Sequence, residues 1–305
     1  MDRRDGEAMK RSAALAGIAL SPIAALSACA PDSSGIVATQ GLPLRPTTFG
    51  SQVYPSDDVA QTIPLLAACG SKLLRIGANN ENFAYFDALF AAATAHGMRV
   101  IVISDYADQP VDVAAYAANA ASFHRRYAVH DPIWELWNEP NLAYYWRAPA
   151  NISAYAKLAI ATAAALRAAG AREILSGGTS GVDVNWLYGL RTHGVFGAVT
   201  GCAVHSYKKP AHALNEYLQA LSLMPPGIGI YTTEACVVTS SDQPSFFRDM
   251  WYLHRYLSLP AMVWCEFRDG TAGPAPPYTD PMGIVTPDYQ PKPVYYTARS
   301  LVDAT

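Results

Sequence analysis

The chain of 305 residues is 51% hydrophobic and 15% charged, a balance that supports a sizeable buried core and excludes disordered and fibrous classes. A net charge of −3, with no run of basic residues beyond the first dozen positions, leaves no electrostatic footprint for nucleic acid.

The N-terminus is read as a targeting segment. Met9-Lys10-Arg11 supplies a positive start, Ala14 to Ala25 an apolar stretch too short to span a bilayer, and Leu26-Ser27-Ala28-Cys29 follows. This ending resembles the lipobox of bacterial lipoproteins, which implies cleavage before Cys29 and diacylation of its thiol. An ordinary cleaved secretory signal with an incidental Cys is the alternative, and both export the chain. The polar, Gly/Pro-bearing stretch "APDSSGIVATQGLPLR" then suits a tether. The expected organisation is a signal peptide over 1–28, a tether from the lipidated Cys29 to 45, and a catalytic domain over 46–305. The export reading leaves Cys69, Cys202, Cys236 and Cys265 in an oxidising compartment. Their apolar surroundings favour buried free thiols over a disulfide, and their spacing carries no paired metal signature.

From Pro46 onward, short apolar runs alternate with longer helical patterns. The strand-like runs are "TTFGSQVY", "KLLRIGAN", "MRVIVIS", "PIWELWNE", "REILSGG", "GCAVHSY", "GIGIYTTE" and "AMVWCEF". Between them, 57–68, 83–96, 111–128 and 152–169 read as amphipathic helices, three of them ending at Gly70, Gly97 and Gly170, where a left-handed cap is easy. Eight such alternations predict an α/β fold, a closed (β/α)8 barrel of the TIM type forming a single domain. "TTFGSQVYPS" lacks the Gly-rich turn an open dinucleotide-binding sheet would need. The Pro/Gly-rich segment 268–293 is expected to overhang the barrel mouth.

Active sites of such barrels lie at the C-terminal ends of the strands. Those ends carry Arg75, Asn138 and Glu139, His205 and Tyr207, Glu234, and Trp264. Strict alternation along the seventh strand, with Glu234 inward, also turns Ile228, Ile230 and Thr232 into the barrel. Two carboxylates across one mouth match glycoside hydrolysis, where one must be protonated and the other ionised. Position alone does not assign the roles. Glu135 and Glu266 share the inward parity and are read as buried partners of Arg75 or Arg268. Clustered metal ligands are lacking, so no metal or organic cofactor is expected.

Taken together, "WNEPNLAYYW", "HSY", "YTTEA", "VWCEF" and "MGIVTPDYQPKPVYYTARSL" resemble clan A glycoside hydrolases, most nearly the β-xylosidase-like family 39. The resemblance implies a retaining enzyme with Glu139 as acid/base and Glu234 as nucleophile. It implies Asn138 on the substrate 2-hydroxyl, Tyr207 and Arg75 aligning Glu234, and His205 beside the acid/base. Trp264 would floor the sugar subsite, before a cis peptide bond to Cys265. Tyr144, Tyr145 and Trp146 are candidate walls. Several families of the clan carry a His at the end of the third strand, where this chain reads "VISDYADQP" and Asp105 or Tyr106 is expected to stand in. The expected substrate is a β-linked oligo- or polysaccharide, and the expected state a monomer held at the membrane through Cys29. A catalytically idle glycan-binding lipoprotein and a transglycosylase on the same barrel remain alternatives.

Overall fold

The computed structural model describes residues 46–303 apart from 79–81, 105, 106, 108, 238 and 271–280. The signal, tether and Cys29 readings, and those on Asp105 and Tyr106, therefore lie outside the described residues.

Eight parallel strands close on themselves in chain order, each paired with its sequence neighbours and the first with the last. They are β1 (Thr48–Gln52), β2 (Leu73–Gly77), β3 (Arg99–Ile103), β4 (Ile133–Asn138), β5 (Ile174–Gly178), β6 (Gly201–Ser206), β7 (Gly229–Ala235) and β8 (Ala261–Trp264). Seven of the strands fall inside the apolar runs identified in the sequence, and β7 runs one residue beyond its own, to Ala235. The helices around them are α1 (Val59–Ala68), α2 (Phe83–Ala95), α3 (Val113–Tyr127), the short α4 (Ala143–Trp146), α5 (Ile152–Ala168), α6 (Val184–Thr192), α7 (Pro210–Leu223), α8 (Gln243–Leu257) and α9 (Pro293–Val302). The (β/α)8 barrel is thus the observed fold.

Five of the helices start where a short polar side chain takes up orphan amides. Asp58, Asn82, Asp112, Asn151 and Asp183 each accept from backbone N–H groups of the first turn. Each such cap contributes about 0.5–2 kcal/mol.

The core has two layers. Leu73, Ile101, Ile133, Leu175, Ala203, Ala261 and Val263 fill the barrel interior. A larger shell between strands and helices contains Phe49, Trp134, Trp251 and Trp264. At the N-terminal end of the barrel Arg99 pairs with Asp131 at 2.9 Å and also with Glu173. Interior packing therefore occupies the middle of the barrel, and ionisable groups gather at its two ends.

Candidate active site

Arg75 of β2 is the hub of the C-terminal end. Its side chain is fully buried, and its guanidinium binds Glu135 of β4 in bidentate fashion, Nε to Oε2 at 2.7 Å and Nη2 to Oε1 at 2.8 Å. Nη2 also donates to Asn138 Oδ1 at 2.8 Å, while Nη1 donates to Gln52 and to Glu234. A guanidinium offers five donors in a rigid fork, which is why one Arg can hold two carboxylates and two amides together.

His205 of β6 is the second connector. Its Nδ1 lies 2.9 Å from Glu139 Oε1, and its Nε2 stands 3.7 Å from Glu135 and 3.8 Å from Glu234. The ring lies over Gly178 of β5, where a Cβ would come within 2.3 Å of Nε2 and 2.6 Å of Glu135 Oε1. Only glycine leaves that space. Tyr207, just past β6, donates its hydroxyl to Glu234 Oε2 although the residue as a whole is exposed.

Two departures from regular strand geometry bring the carboxylates inward. Trp137 of β4 has φ +80° and Glu139, just past the strand, φ +46°, left-handed conformations that a non-glycine residue adopts at about 1–3 kcal/mol each. Buried contacts enforce the first of them. The Trp137 amide donates to Ser104 Oγ at 2.9 Å, its indole donates to the Tyr145 carbonyl at 3.1 Å, and its ring lies against Tyr116 and Trp146. Past this point alternation lapses, and Asn138 and Glu139 both face the site. Asn141 then ties the loop down, bonding Ser180 and Asp183 beyond β5.

In β7 the register shifts between Thr232 and Ala235. Thr232 consequently faces outward, bonding Tyr217 at 2.6 Å and His254 at 2.7 Å on the surrounding helices. Thr233 faces inward to Glu135 at 3.3 Å, and Glu234 follows it inward to Arg75. The expectation that Ile228, Ile230 and Thr232 line the interior is therefore corrected. Tyr231 packs against the interior cluster instead, and a bulge rather than simple alternation presents Glu234.

The electrostatics follow from this packing. Burial pushes Glu135 up, but the Arg75 guanidinium and the nearby His205 imidazole outweigh it and bring the carboxyl down to about 2. Burial likewise opposes ionisation of Glu234, yet His205, Arg75 and the Tyr207 hydroxyl hold it below the usual carboxylate range. For His205, burial disfavours the cation, whereas the Glu234 charge, the nearby Glu135 carboxylate and the hydrogen bond to Glu139 favour it and lift the imidazole to about 9. The site at neutral pH thus holds an ionised Glu234 and a cationic His205.

Arg75, Asn138, Glu139, His205, Tyr207 and Glu234 are brought together. Trp264 and Trp146 are not. The Trp264 indole is fully buried against Phe246 and Phe247 of α8 and donates to the Met282 carbonyl at 2.7 Å, so the floor expected of it is absent. The cis bond lies one residue further on, between Cys265 and Glu266. Trp146 is buried between Trp137 and Tyr155 as the anchor of α4, which leaves Tyr144 exposed and Tyr145 half-buried beside it. Arg268 pairs with Asp57 at 2.7 Å, whereas Glu135 partners Arg75 as expected.

Sequence reasoning passed over Gln52, Tyr54, Thr233 and Cys265. Gln52 orients Arg75 and donates to the Tyr54 hydroxyl at 2.6 Å. A polar residue at the end of β1 was the available signal. All four described cysteines are free and buried, and no group of three or more His, Cys, Asp or Glu side chains suited to a metal occurs among the described residues. No described helix is long and apolar enough to cross a membrane.

No protein-family model matches the chain, and no curated protein matches it. Solved structures do match in fold. A family 39 glycoside hydrolase from Bacteroides cellulosilyticus WH2 superposes with a TM-score of 0.69 at 17% identity, over 85% of this chain and 64% of that one. A GH39 β-xylosidase from Caulobacter crescentus gives 0.66 at 19% identity, over 88% and 72%. A glucosidase from Croceicoccus marinus gives 0.70 at 11% identity, over 87% and 69%. The chain therefore spans a little under two-thirds of the Bacteroides enzyme's length, and at these identities the likeness is one of fold.

Proposed function

We propose that the protein is a retaining glycoside hydrolase acting on a β-linked oligo- or polysaccharide. The observation that carries this reading is the imidazole of His205, which has Glu139 on Nδ1 and Glu234 on its Nε2 side, so that carboxylates from β4 and β7 flank one point at the C-terminal mouth. The glycosidase fold neighbours support the same reaction class.

In this mechanism Glu234, kept anionic by Arg75, His205 and Tyr207, attacks the anomeric carbon and forms a glycosyl ester. Glu139 gives a proton to the departing oxygen as the glycosidic bond breaks. His205 Nδ1 lies 2.9 Å from Glu139 Oε1, within reach of the group that gives up this proton. Once Glu139 is anionic, cationic His205 stabilises it. Glu139 then takes a proton from water, which attacks the ester and frees Glu234. Asn138, fixed on Arg75, is the partner for the sugar 2-hydroxyl. Delivery to the envelope through a diacylated Cys29 belongs to the same proposal.

The test is hydrolysis of a panel of aryl β-glycosides and bacterial exopolysaccharides, with the anomer of the first product read by proton NMR. Retention is expected. An inverted product overturns the double displacement, and no turnover on any β-glycoside overturns the hydrolase reading.

A further inference from the structure

Cys236 and Cys265 stand at the C-terminal ends of neighbouring strands. Ala235 pairs with Trp264, and the Cys265 amide donates to the Ala235 carbonyl at 3.2 Å, so the two thiols follow side by side. Cys236 is the foremost influence raising the Cys265 thiol, and Cys236 Sγ lies 3.7 Å from Met282 Sδ. Both thiols are buried at 3% and 6% exposure, while Met282 is half-buried. Cys265 also feels the charges of Glu234 and Glu266 and lies close enough to Tyr54 and Tyr207 to influence both. It occupies the side of the site where an indole was expected.

We propose that Cys236, Cys265 and Met282 form a binding site for one soft, thiophilic metal cation beside Glu234. Sulfur ligands around an ion at about 2.3 Å stand about 3.8–4.0 Å apart, so the Cys236–Met282 pair is already spaced for a shared ion. Two thiolates and a thioether select soft ions over magnesium, calcium or manganese. When a dication enters, both thiol protons leave to water and no electron is transferred. The net charge facing Glu234 and Glu266 is then unchanged, which removes the electrostatic objection to forming thiolates there. Cys69 donates to the Leu66 carbonyl and Cys202 sits with Ser176, so these two thiols serve as internal controls. The site stands whether or not the barrel hydrolyses glycosides.

Cadmium(II) is the probe, titrated anaerobically into the reduced full chain with magnesium and calcium in excess. The expected result is one tightly bound ion per chain, a thiolate-to-metal charge-transfer band, two protons released per ion, and a cadmium NMR shift in the sulfur-ligated range. Cys236→Ala and Cys265→Ser should each lose the band. Met282→Leu should keep it at weaker affinity, and a Cys69→Ala/Cys202→Ala double variant should match the wild type. The NMR shift reads sulfur coordination in the wild type even if a variant does not fold. An oxygen-type shift, a band surviving in Cys236→Ala, or a Cys236–Cys265 disulfide in the purified protein overturns the site.

Discussion

His205 Nδ1 and Glu139 Oε1 meet at 2.9 Å, and the opposite nitrogen of the same ring is turned toward Glu135 and Glu234. One imidazole, together with Arg75, thus links the two carboxylates of the proposed roles. Neither carboxylate can be changed without altering the field at the other.

Substitution of each carboxylate should separate the roles. Glu139→Gln removes the acid, and kcat on substrates with poor leaving groups should fall about 10²–10⁴-fold. Aryl glycosides with good leaving groups need less protonation, so a burst of glycosyl-enzyme should still form. Glu234→Gln should form none. Stopped-flow and intact-mass measurements check this, and the opposite pattern reverses the assignment.

The pH dependence of stability has a defined sign on each side. Glu135 is depressed from 4.5 to about 2 in the folded state, so its contribution is complete above about pH 4.5 and is lost as pH falls toward 2. His205 is raised from 6.5 to about 9, so its contribution is complete below about pH 6.5 and is lost as pH rises through 9. Tm should therefore peak between these limits. In His205→Gln the decline between pH 6.5 and 9 should flatten, while the acid limb should persist. An unchanged alkaline limb in that variant would show that His205 is not the group responsible.

How much of this was legible beforehand follows from which interactions are local. Strand runs and Gly-ended helices are encoded within a few residues, so β1 to β8 and the caps at Gly70, Gly97 and Gly170 could be read directly, with φ of +86°, +69° and +102° at those glycines. Facing directions were less secure. Alternation fails at Trp137 and again between Thr232 and Ala235, because tertiary contacts to Ser104, Tyr145, Tyr217 and His254 override the period of two. Trp264 was misplaced for a related reason. An aromatic residue at a strand end serves a sugar floor or an α8 interface equally well, and only the neighbouring Phe246 and Phe247 decide between them. Gln52 went unnoticed since its role exists only through Arg75, 23 positions away.

Removing Arg75 should destabilise the barrel more than any single change at the rim. Arg75→Met leaves Glu135 fully buried without its bidentate partner and strips Glu234 of a counter-ion. Breaking a buried ion pair from one side costs about 3–5 kcal/mol. Urea denaturation should show a lower midpoint at unchanged slope, and a second substitution, Glu135→Gln, should recover part of the loss. An unfolding free energy within about 0.5 kcal/mol of the wild type, the range of ordinary surface substitutions, would mean the cluster reorganises around Gln52 and Tyr207 instead.

Anchoring rests on the shortest motif, the four residues ending at Cys29, and it can be tested apart from catalysis. A single acyl chain holds a protein to a bilayer only marginally, whereas two give stable attachment, so a diacylated Cys29 should keep the chain in the membrane fraction. A tether over residues 30–45 would let a barrel beginning near Pro46 stand off that surface and reach glycans beyond it. Cys29→Ser should release or misprocess the chain, detected by fractionation and by the mass of the N-terminal peptide. Separately expressed residues 46–305 should keep full activity, because Arg75, Glu139, His205 and Glu234 all lie within the closed barrel. Wild-type protein that is wholly soluble with an unmodified N-terminus would remove the anchor while leaving the chemistry at Glu139 and Glu234 untouched.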